Sequence, residues 1–485
     1  MLHFPILRAG QPYKSLSVLD VTNFKTGEKI AELSQANSGL IRKDFSQAEK
    51  NKQTLNDLPV HELLTMCNNA AALFMKEELP INGATQSPED YIRILSSTTG
   101  MPEVLCRKNM DKISFVLDEM ETVLSGLTRG LDLSILDQGW GSENGSSLSY
   151  LCTTNSLGAI LPNNSPGVHS LWLPSIPLKV PLVLKPGTQE PWTPYRVIQA
   201  FIAAGCPPEA FSFYPTDYSG AKEILLRSGR SMFFGGASTV QAWEKDPRVQ
   251  IHGPGWSKVL FGEDQAENWQ QYLDTLVDSI LINSGRSCLN ASGVWAPSHA
   301  REIAEALAKR LAKIQAKPMD DPEAQLAAFV NPAVAESISK LIESGLSEGG
   351  AEDLTAKYRD CDRVVAVDGC TFLLPTIIWC ERPEHPLANT ELLFPFASVI
   401  EIPQNEILKK MGQTLVLTAL TEDKKFIQRI LAAPNVDRLN LGPIPTSKVS
   451  WDQPHEGNLF EHLYKQRAFQ SGHFLTNGRK FVNEI

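Results

Sequence analysis

The sequence predicts an α/β protein built as two doubly wound halves, and three observations predict it. From about residue 152 onward, short apolar strands alternate with helices, as in a mostly parallel sheet covered by helices. A second section of the same texture starts near Ser257. The length, 485 residues, suits two to four domains at roughly 100–200 residues each.

In chain order, the segment before about residue 130 reads mainly as helices. Residues 70–75 form a compact apolar run, and residues 113–127 carry apolar positions at helical spacing. Residues 138–147 are polar and rich in Gly and Ser, a turn or hairpin tip between two extended pieces. Strands follow at 158–161, 182–185, 210–214 and 231–234, with helices at 194–204 and 221–227 between them. In the second section, residues 301–314 form an amphipathic helix. Ile303, Leu307, Leu311 and Ile314 share one face, and Glu305 and Lys309 pair on the other. Later strands are expected at 364–367, 398–402 and 415–419, and Asn477-Gly478 signals a hairpin in the tail.

Composition narrows the functional classes. Hydrophobic residues make up 42% and charged residues 21%, an ordinary globular mixture that excludes disordered and fibrous readings. The net charge of −10 repels phosphate backbones and argues against a nucleic-acid binder, although a local site for a small anionic cofactor remains compatible. Eight dispersed cysteines without a CxxC pair fit a reducing compartment, not a disulfide framework or a zinc site. The N-terminus lacks a signal-peptide pattern. The longest apolar stretch, residues 171–184, is broken by Pro174, Pro177 and Pro181, so no membrane span is expected. A soluble, cytoplasmic protein is expected from these constraints.

Candidate chemistry lies in a few segments. In Asn283-Ser-Gly-Arg-Ser-Cys288, a cysteine sits among small and polar residues, with Arg286 two positions upstream. A free thiol has a pKa of about 8.5, so nearby positive charge or N–H dipoles are needed to make it a nucleophile. Leu161-Pro-Asn-Asn-Ser-Pro166 places amides rigidly after a strand, where an Asn N–H₂ can donate to a developing oxyanion. Lys185 ends a buried strand, where open α/β sheets bind ligands. Gly235-Gly236 allows close backbone approach to a phosphate. No GxGxxG occurs. Each feature alone is also compatible with an ordinary core cysteine, turn or surface lysine.

Taken in order, the series resembles the aldehyde dehydrogenase superfamily. It comprises Leu-Pro-Asn-Asn-Ser-Pro, Val-Leu-Lys-Pro-Gly, Phe-Gly-Gly-Ala-Ser-Thr-Val, Gly-Pro-Gly-Trp-Ser-Lys, Asn-Ser-Gly-Arg-Ser-Cys and Glu391-Leu-Leu-Phe-Pro395. The resemblance implies two doubly wound α/β domains plus a small β oligomerisation element. Its dinucleotide-binding domain would comprise residues 1–129 and 152–254, and its catalytic domain residues 255–445. The oligomerisation segments would be residues 130–151 and 446–485, giving a homodimer or homotetramer. It assigns Cys288 as nucleophile and Asn164, with the Cys288 N–H, as oxyanion donor. Lys185, Thr188, Gly236, Ser238 and Glu391 become the contacts to NAD or NADP, and no metal is implied. An aldehyde would be oxidised through a thiohemiacetal and a thioester on Cys288.

The departures from the family pattern concern the last step. His252 stands where hydrolytic members hold a glutamate base. With an unperturbed pKa of about 6.5 it is either a base for water or simply a packed ring. The missing carboxylate resembles members that pass the acyl group to coenzyme A, which the sequence slightly favours as co-substrate over hydrolysis. Thr188, where NAD-preferring members often hold a glutamate, leaves NADP acceptable. A catalytically silent scaffold is the third reading, and the joint presence of Cys288, Asn164, Lys185 and Glu391 counts against it.

Overall fold

A computed structural model describes residues 2–143, 146–454 and 456–470. Two seven-stranded sheets organise it. In the first, the parallel strands run in the order Val249–His252, Arg230–Phe234, Leu157–Ile160, Leu182–Lys185 and Phe211–Phe213. In the second, Thr376–Cys380, Phe396–Glu401, Gly293–Ala296, Lys258–Phe261, Thr414–Leu420 and Val436–Leu441 are parallel, and Ala351–Asp353 adds an antiparallel edge. Leu157–Ile160, Phe211–Phe213, Lys258–Phe261, Gly293–Ala296 and Thr414–Leu420 are buried along their whole length. Parallel strands covered on both faces need continuous apolar runs, and that is why these runs stand out in the sequence.

The helices cover these sheets by their apolar stripes. Ala300–Leu311 buries Ile303, Ala304, Leu307, Ala308 and Leu311 completely, and Ile314 packs just beyond its end. Its expected Glu305–Lys309 pair does not form. Glu305 accepts from the Tyr358 hydroxyl, and the Lys309 ammonium lies 5.5 Å from the centre of the same ring. A phenol between the two charges satisfies both at once.

Three expectations change. Residues 2–34 are not helical but hold five short strands, and helices begin at Ser38. Ile6–Arg8 and Gln11–Tyr13 extend the first sheet antiparallel beyond Phe211–Phe213, with Leu7 opposite Phe213. Strands of three to six residues carry too little alternation to be recognised, because their pairing partners lie up to about 200 positions away. The helix expected over 113–127 is two, Glu103–Asp118 and Met120–Thr128, broken where Glu119 leaves the helical region (φ −91°, ψ 22°). Val364–Val367 is a strand but pairs only with Cys370–Leu373, in a hairpin outside the second sheet. Trp140–Glu143 and Ser146–Cys152 form the arms of the Gly/Ser-rich hairpin, and Tyr464–Arg467 joins as its third strand. The hairpin signalled at Asn477-Gly478 lies outside the described residues.

A buried polar chain anchors the first sheet's loops. The Tyr91 hydroxyl lies 2.7 Å from Thr193 Oγ1, and Glu190 Oε1 accepts from the Thr193 N–H (2.9 Å) and hydroxyl (2.5 Å). Glu190 Oε2 meets His169 Nε2 at 2.6 Å, while Trp172 Nε1 donates to His169 Nδ1 at 3.2 Å. Because Nδ1 accepts, the proton sits on Nε2 and is given to Glu190. Removing the carboxylate strands several buried donors at once, so Glu190→Ala is expected to cost about 3 kcal/mol in urea unfolding. A stability within about 0.5 kcal/mol of the parent would show that the chain of bonds carries little.

Candidate active site

The two sheets meet end to end. Asn164, Gly236 and His252 stand at or just after the C-terminal ends of strands of the first sheet, as does Lys185. Ser257, Cys288 and Glu391 precede the N-terminal ends of Lys258–Phe261, Gly293–Ala296 and Phe396–Glu401 in the second. Between these edges lies a cavity of about 1000 Å³, lined by Asn164, Gly236, His252, Cys288 and Glu391 among others. Ligands of open α/β sheets bind at such carboxyl edges. Lys185, Thr188 and Ser238 do not line that cavity. Lys185 is half-buried at its strand end, and that burial lowers its pKa; Thr188 and Ser238 are exposed.

The loop bearing Cys288 is held in an uncommon path. Helix Leu273–Leu281 ends, and Asn283, Ser284 and Gly285 all adopt left-handed φ (56°, 59° and 64°). Such residues are strained unless their surroundings fix them. Asn283 donates to Ser165 Oγ (3.0 Å) and accepts from Asn109 (2.8 Å), and Ser284 Oγ accepts from the Ala327 N–H (2.7 Å). A Cβ at Gly285 would stand 2.5 Å from the Phe394 backbone, so only glycine fits. The Arg286 guanidinium, suggested by the sequence as a charge beside the thiol, turns away instead. It donates to the carbonyls of Thr99 (2.8 Å) and Ala328 and packs over Phe329.

Asn164 donates to the Arg286 carbonyl at 2.9 Å, which brings it to the nucleophile loop and leaves its second N–H unspent. On the other flank, Ser257 Oγ donates to the Cys288 carbonyl at 2.7 Å. Gly255 passes so close that a Cβ would stand 2.1 Å from that oxygen.

Dryness governs the electrostatics. Burial, reinforced by Glu391, pushes the Cys288 thiol up to about 12, while Lys112, Ser287 and the cysteine's own N–H pull the other way. The resting group is therefore a thiol that needs a proton acceptor. His252 is a poor one. Burial, with His462 adding, lowers it to about 3, its Nε2 is buried without a partner, and its ring stacks on Phe234 at 4.3 Å. Its Nδ1 meets Glu456 Oε2. Glu391 gives one oxygen to the Trp256 N–H, and burial raises its carboxyl to about 7.

Residues that the sequence reading passed over complete the site. Asn109 ties helix Glu103–Asp118 to both loops: it donates to Asn283 and Leu105, and accepts from the Gly167 N–H (3.0 Å) and Ser165. Lys112, one turn on, lines the cavity with its ammonium 5.4 Å from the centre of the Trp451 ring. Glu456 Oε1 accepts from the Cys288 thiol at 3.8 Å. No local signal marks Glu456, which stands 168 positions from that cysteine. Among the described residues no group of three or more His, Cys, Asp or Glu is placed to hold a metal, and no helix is long and apolar enough to cross a membrane.

This geometry accords with comparisons to known proteins. The model of the aldehyde dehydrogenase family matches residues 12–416. A Bos taurus relative, a mitochondrial methylmalonate-semialdehyde/malonate-semialdehyde dehydrogenase (acylating), is 23% identical over 271 residues, covering 52% of this chain and 48% of its own. The chain thus matches about half the length of that curated relative. Among solved structures, an NAD+ complex of an aldehyde dehydrogenase from Bacillus cereus shares the fold at a TM-score of 0.76 and 14% identity, over 96% of each chain. Aldehyde dehydrogenase 21 from Physcomitrella patens, in complex with the reaction product succinate, does so at 0.74 and 16%, over 96% of this chain and 97% of its own. Matched by the family model over most of its length, and sharing its fold with solved members almost throughout, the chain belongs to the aldehyde dehydrogenase family.

Proposed function

We propose that the protein oxidises an aldehyde through a covalent thioester on Cys288 with NAD or NADP as electron acceptor. The observation that carries this reading is the Cys288 thiol and the Asn164 amide on one wall of a cavity that also holds Gly236 and Glu391. Cys288 attacks the carbonyl carbon, and the spare Asn164 N–H, with the Cys288 N–H, holds the oxyanion that forms. Collapse of that oxyanion leaves a thioester on Cys288. The dinucleotide, when bound, accepts the two electrons as hydride.

The residues present fit a dinucleotide. A Cβ at Gly236 would meet nothing within 4 Å, so open space stands in front of its backbone. Glu391 has one carboxylate oxygen left after Trp256 takes the other. Lys185 waits at the sheet edge, with Thr188 and Ser238 exposed nearby. No carboxylate at Thr188 repels a 2′-phosphate, which suits NADP as well as NAD. In this reading the first sheet is the dinucleotide-binding domain and the second the catalytic one. The three-stranded sheet of residues 140–152 and 464–467 serves assembly into a homodimer or homotetramer.

The aldehyde is one that carries a carboxylate. Lys112 puts a partly buried cation, lowered to about 8 by burial, into the cavity with no carboxylate in salt-bridge range among the described residues. The bovine relative is named for semialdehydes of dicarboxylic acids, and the Physcomitrella structure holds succinate. For acyl release, coenzyme A is supported by the histidine at 252 and by the acylating relative. Hydrolysis is supported by one specific observation, the Glu456 carboxylate beside the thiol.

Three outcomes test this. Cys288→Ser is expected to abolish hydride production across an aldehyde panel, with and without coenzyme A, while a bound dinucleotide still raises Tm. Retained turnover would put the nucleophile elsewhere. Lys112→Met is expected to raise KM for an ω-carboxy aldehyde about tenfold, or about 1.4 kcal/mol, and to change KM for a neutral aldehyde of equal length by less than about threefold. Equal changes for both would remove the carboxylate from the substrate. Glu391→Gln separates stability from binding. The carboxyl's folded pKa lies above its unfolded value, so ionising it costs the fold as pH rises through about 7, and costs nothing where both states are protonated. The variant is expected to gain about 2 °C in Tm at pH 8, gain nothing at pH 4.5, and bind dinucleotide more weakly. The same gain at both pH values would show that the carboxylate is not desolvated.

A further inference from the structure

The Cys288 thiol is half-buried on the cavity wall, and the base position of the family pattern holds a neutral, weakly basic ring. A carboxylate nevertheless reaches the sulfur from the far end of the chain. Glu456 Oε1 accepts from Cys288 Sγ at 3.8 Å, and Glu456 Oε2 accepts from His252 Nδ1. Gln250 Nε2, two residues back on the same strand as His252, donates to the Glu456 carbonyl. The segment is pinned on its C-terminal side too, where Asn458 Nδ2 donates to the Leu127 carbonyl at 2.7 Å. The His252 ring is in turn fixed by stacking on Phe234, with interplanar angle 16°.

From this juxtaposition we infer that Glu456 is the proton acceptor of Cys288 and that His252 is its positioning residue rather than the base itself. The inference rests on Cys288 being the nucleophile of the proposed reaction. The S–H proton passes to Glu456 Oε1, giving a carboxylic acid and a thiolate. The sulfur lone pair forms the C–S bond with the carbonyl carbon, and the carbonyl π pair moves onto the oxygen facing Asn164. His252, neutral, keeps its Nδ1–H on Oε2, so the other oxygen stays aimed at sulfur. Exchanging the glutamate of the family pattern for histidine thus relocates the carboxylate instead of deleting it. This holds for either acyl acceptor, because a thiol must lose its proton before it attacks.

Three other charged groups bear on this site. Lys112, from helix Glu103–Asp118, favours the thiolate; Glu391 opposes it; and His462 acts on His252. Lys112 titrates at about 8 and Glu391 at about 7.

The test is the rate of Cys288 alkylation by iodoacetamide between pH 6 and 9, read by peptide mass on the full-length protein without dinucleotide or aldehyde. When thiol and carboxylate share one proton, the reactive pair exists over the whole range in which that single proton is bound, so the rate is flat. The parent protein is expected not to rise from about pH 6.5 to 8.5, and to fall gently as Glu391 ionises and Lys112 loses its charge. Glu456→Gln is expected to rise about tenfold per pH unit, as an isolated thiol does. Lys112→Met and Glu391→Gln each remove one of those two declines and bring the profile closer to flat. His252→Phe, which keeps the stacked ring and loses the donor, is expected to lower the plateau about tenfold, and His252→Asn to restore it.

A tenfold-per-unit rise in the parent protein overturns the inference, and does so even if a variant fails to fold. A flat profile in Glu456→Gln overturns it equally. An unchanged plateau in His252→Phe overturns the positioning role. Because no substrate enters this assay, a parental profile without a rise, and with no aldehyde oxidised, would sink the proposed function alone. Turnover with a profile that rises about tenfold per pH unit would sink this inference alone.

Discussion

One buried cation without a carboxylate organises the site. Arg286 is satisfied by the carbonyls of Thr99 and Ala328 and by the face of Phe329, and its own carbonyl receives Asn164. Burial lowers its pKa to about 10, a sign of how dry that environment is. Guanidinium donors placed on carbonyls are strong but must all be met, since each unmet donor costs as much as it would have gained. Arg286 therefore has few alternative positions. The three left-handed residues just before it and the cysteine just after it inherit that rigidity. Cys288, though carried on a loop, acquires the positional accuracy of a core residue.

The same dryness sets the chemistry. It raises the Cys288 thiol and the Glu391 carboxyl, and it lowers Lys112 and His252. Each of these four groups is biased toward its neutral form. The proposed reaction creates charge in such a place and needs its partner charge ready; in that proposal the role falls to the Asn164 dipole and to the carboxylate held by His252.

Much of this was legible in the sequence, and unevenly so. Runs such as Leu182–Lys185 could be read because a parallel strand covered on both faces must be apolar throughout. The opening strands could not, because Gln11–Tyr13 is wholly exposed and owes its existence to backbone pairing with Ile6–Arg8 at a sheet edge. In the site, Cys288, Asn164 and Glu391 each sit in a short motif whose order is informative. Asn109 looks like any polar residue of a helix, yet it joins the loops that carry Asn283 and Gly167. Arg286 was legible as a residue but not in its direction, which depends on two carbonyls brought there by folding. Glu456 was invisible because nothing local to it announces a partner in a distant strand.

The strand Tyr464–Arg467 gives the last few turns of chain an unexpected office. It pairs with Ser149–Cys152, and just before it Asn458 grips Leu127, so the stretch carrying Glu456 is moored on its C-terminal side by two elements that belong to neither large sheet. The core beneath the first sheet also takes in Leu459, Phe460, Leu463 and Tyr464 from that stretch. A change that loosened those side chains would slacken, in the same stroke, the tether that delivers a carboxylate to sulfur. Stability and chemistry are coupled there.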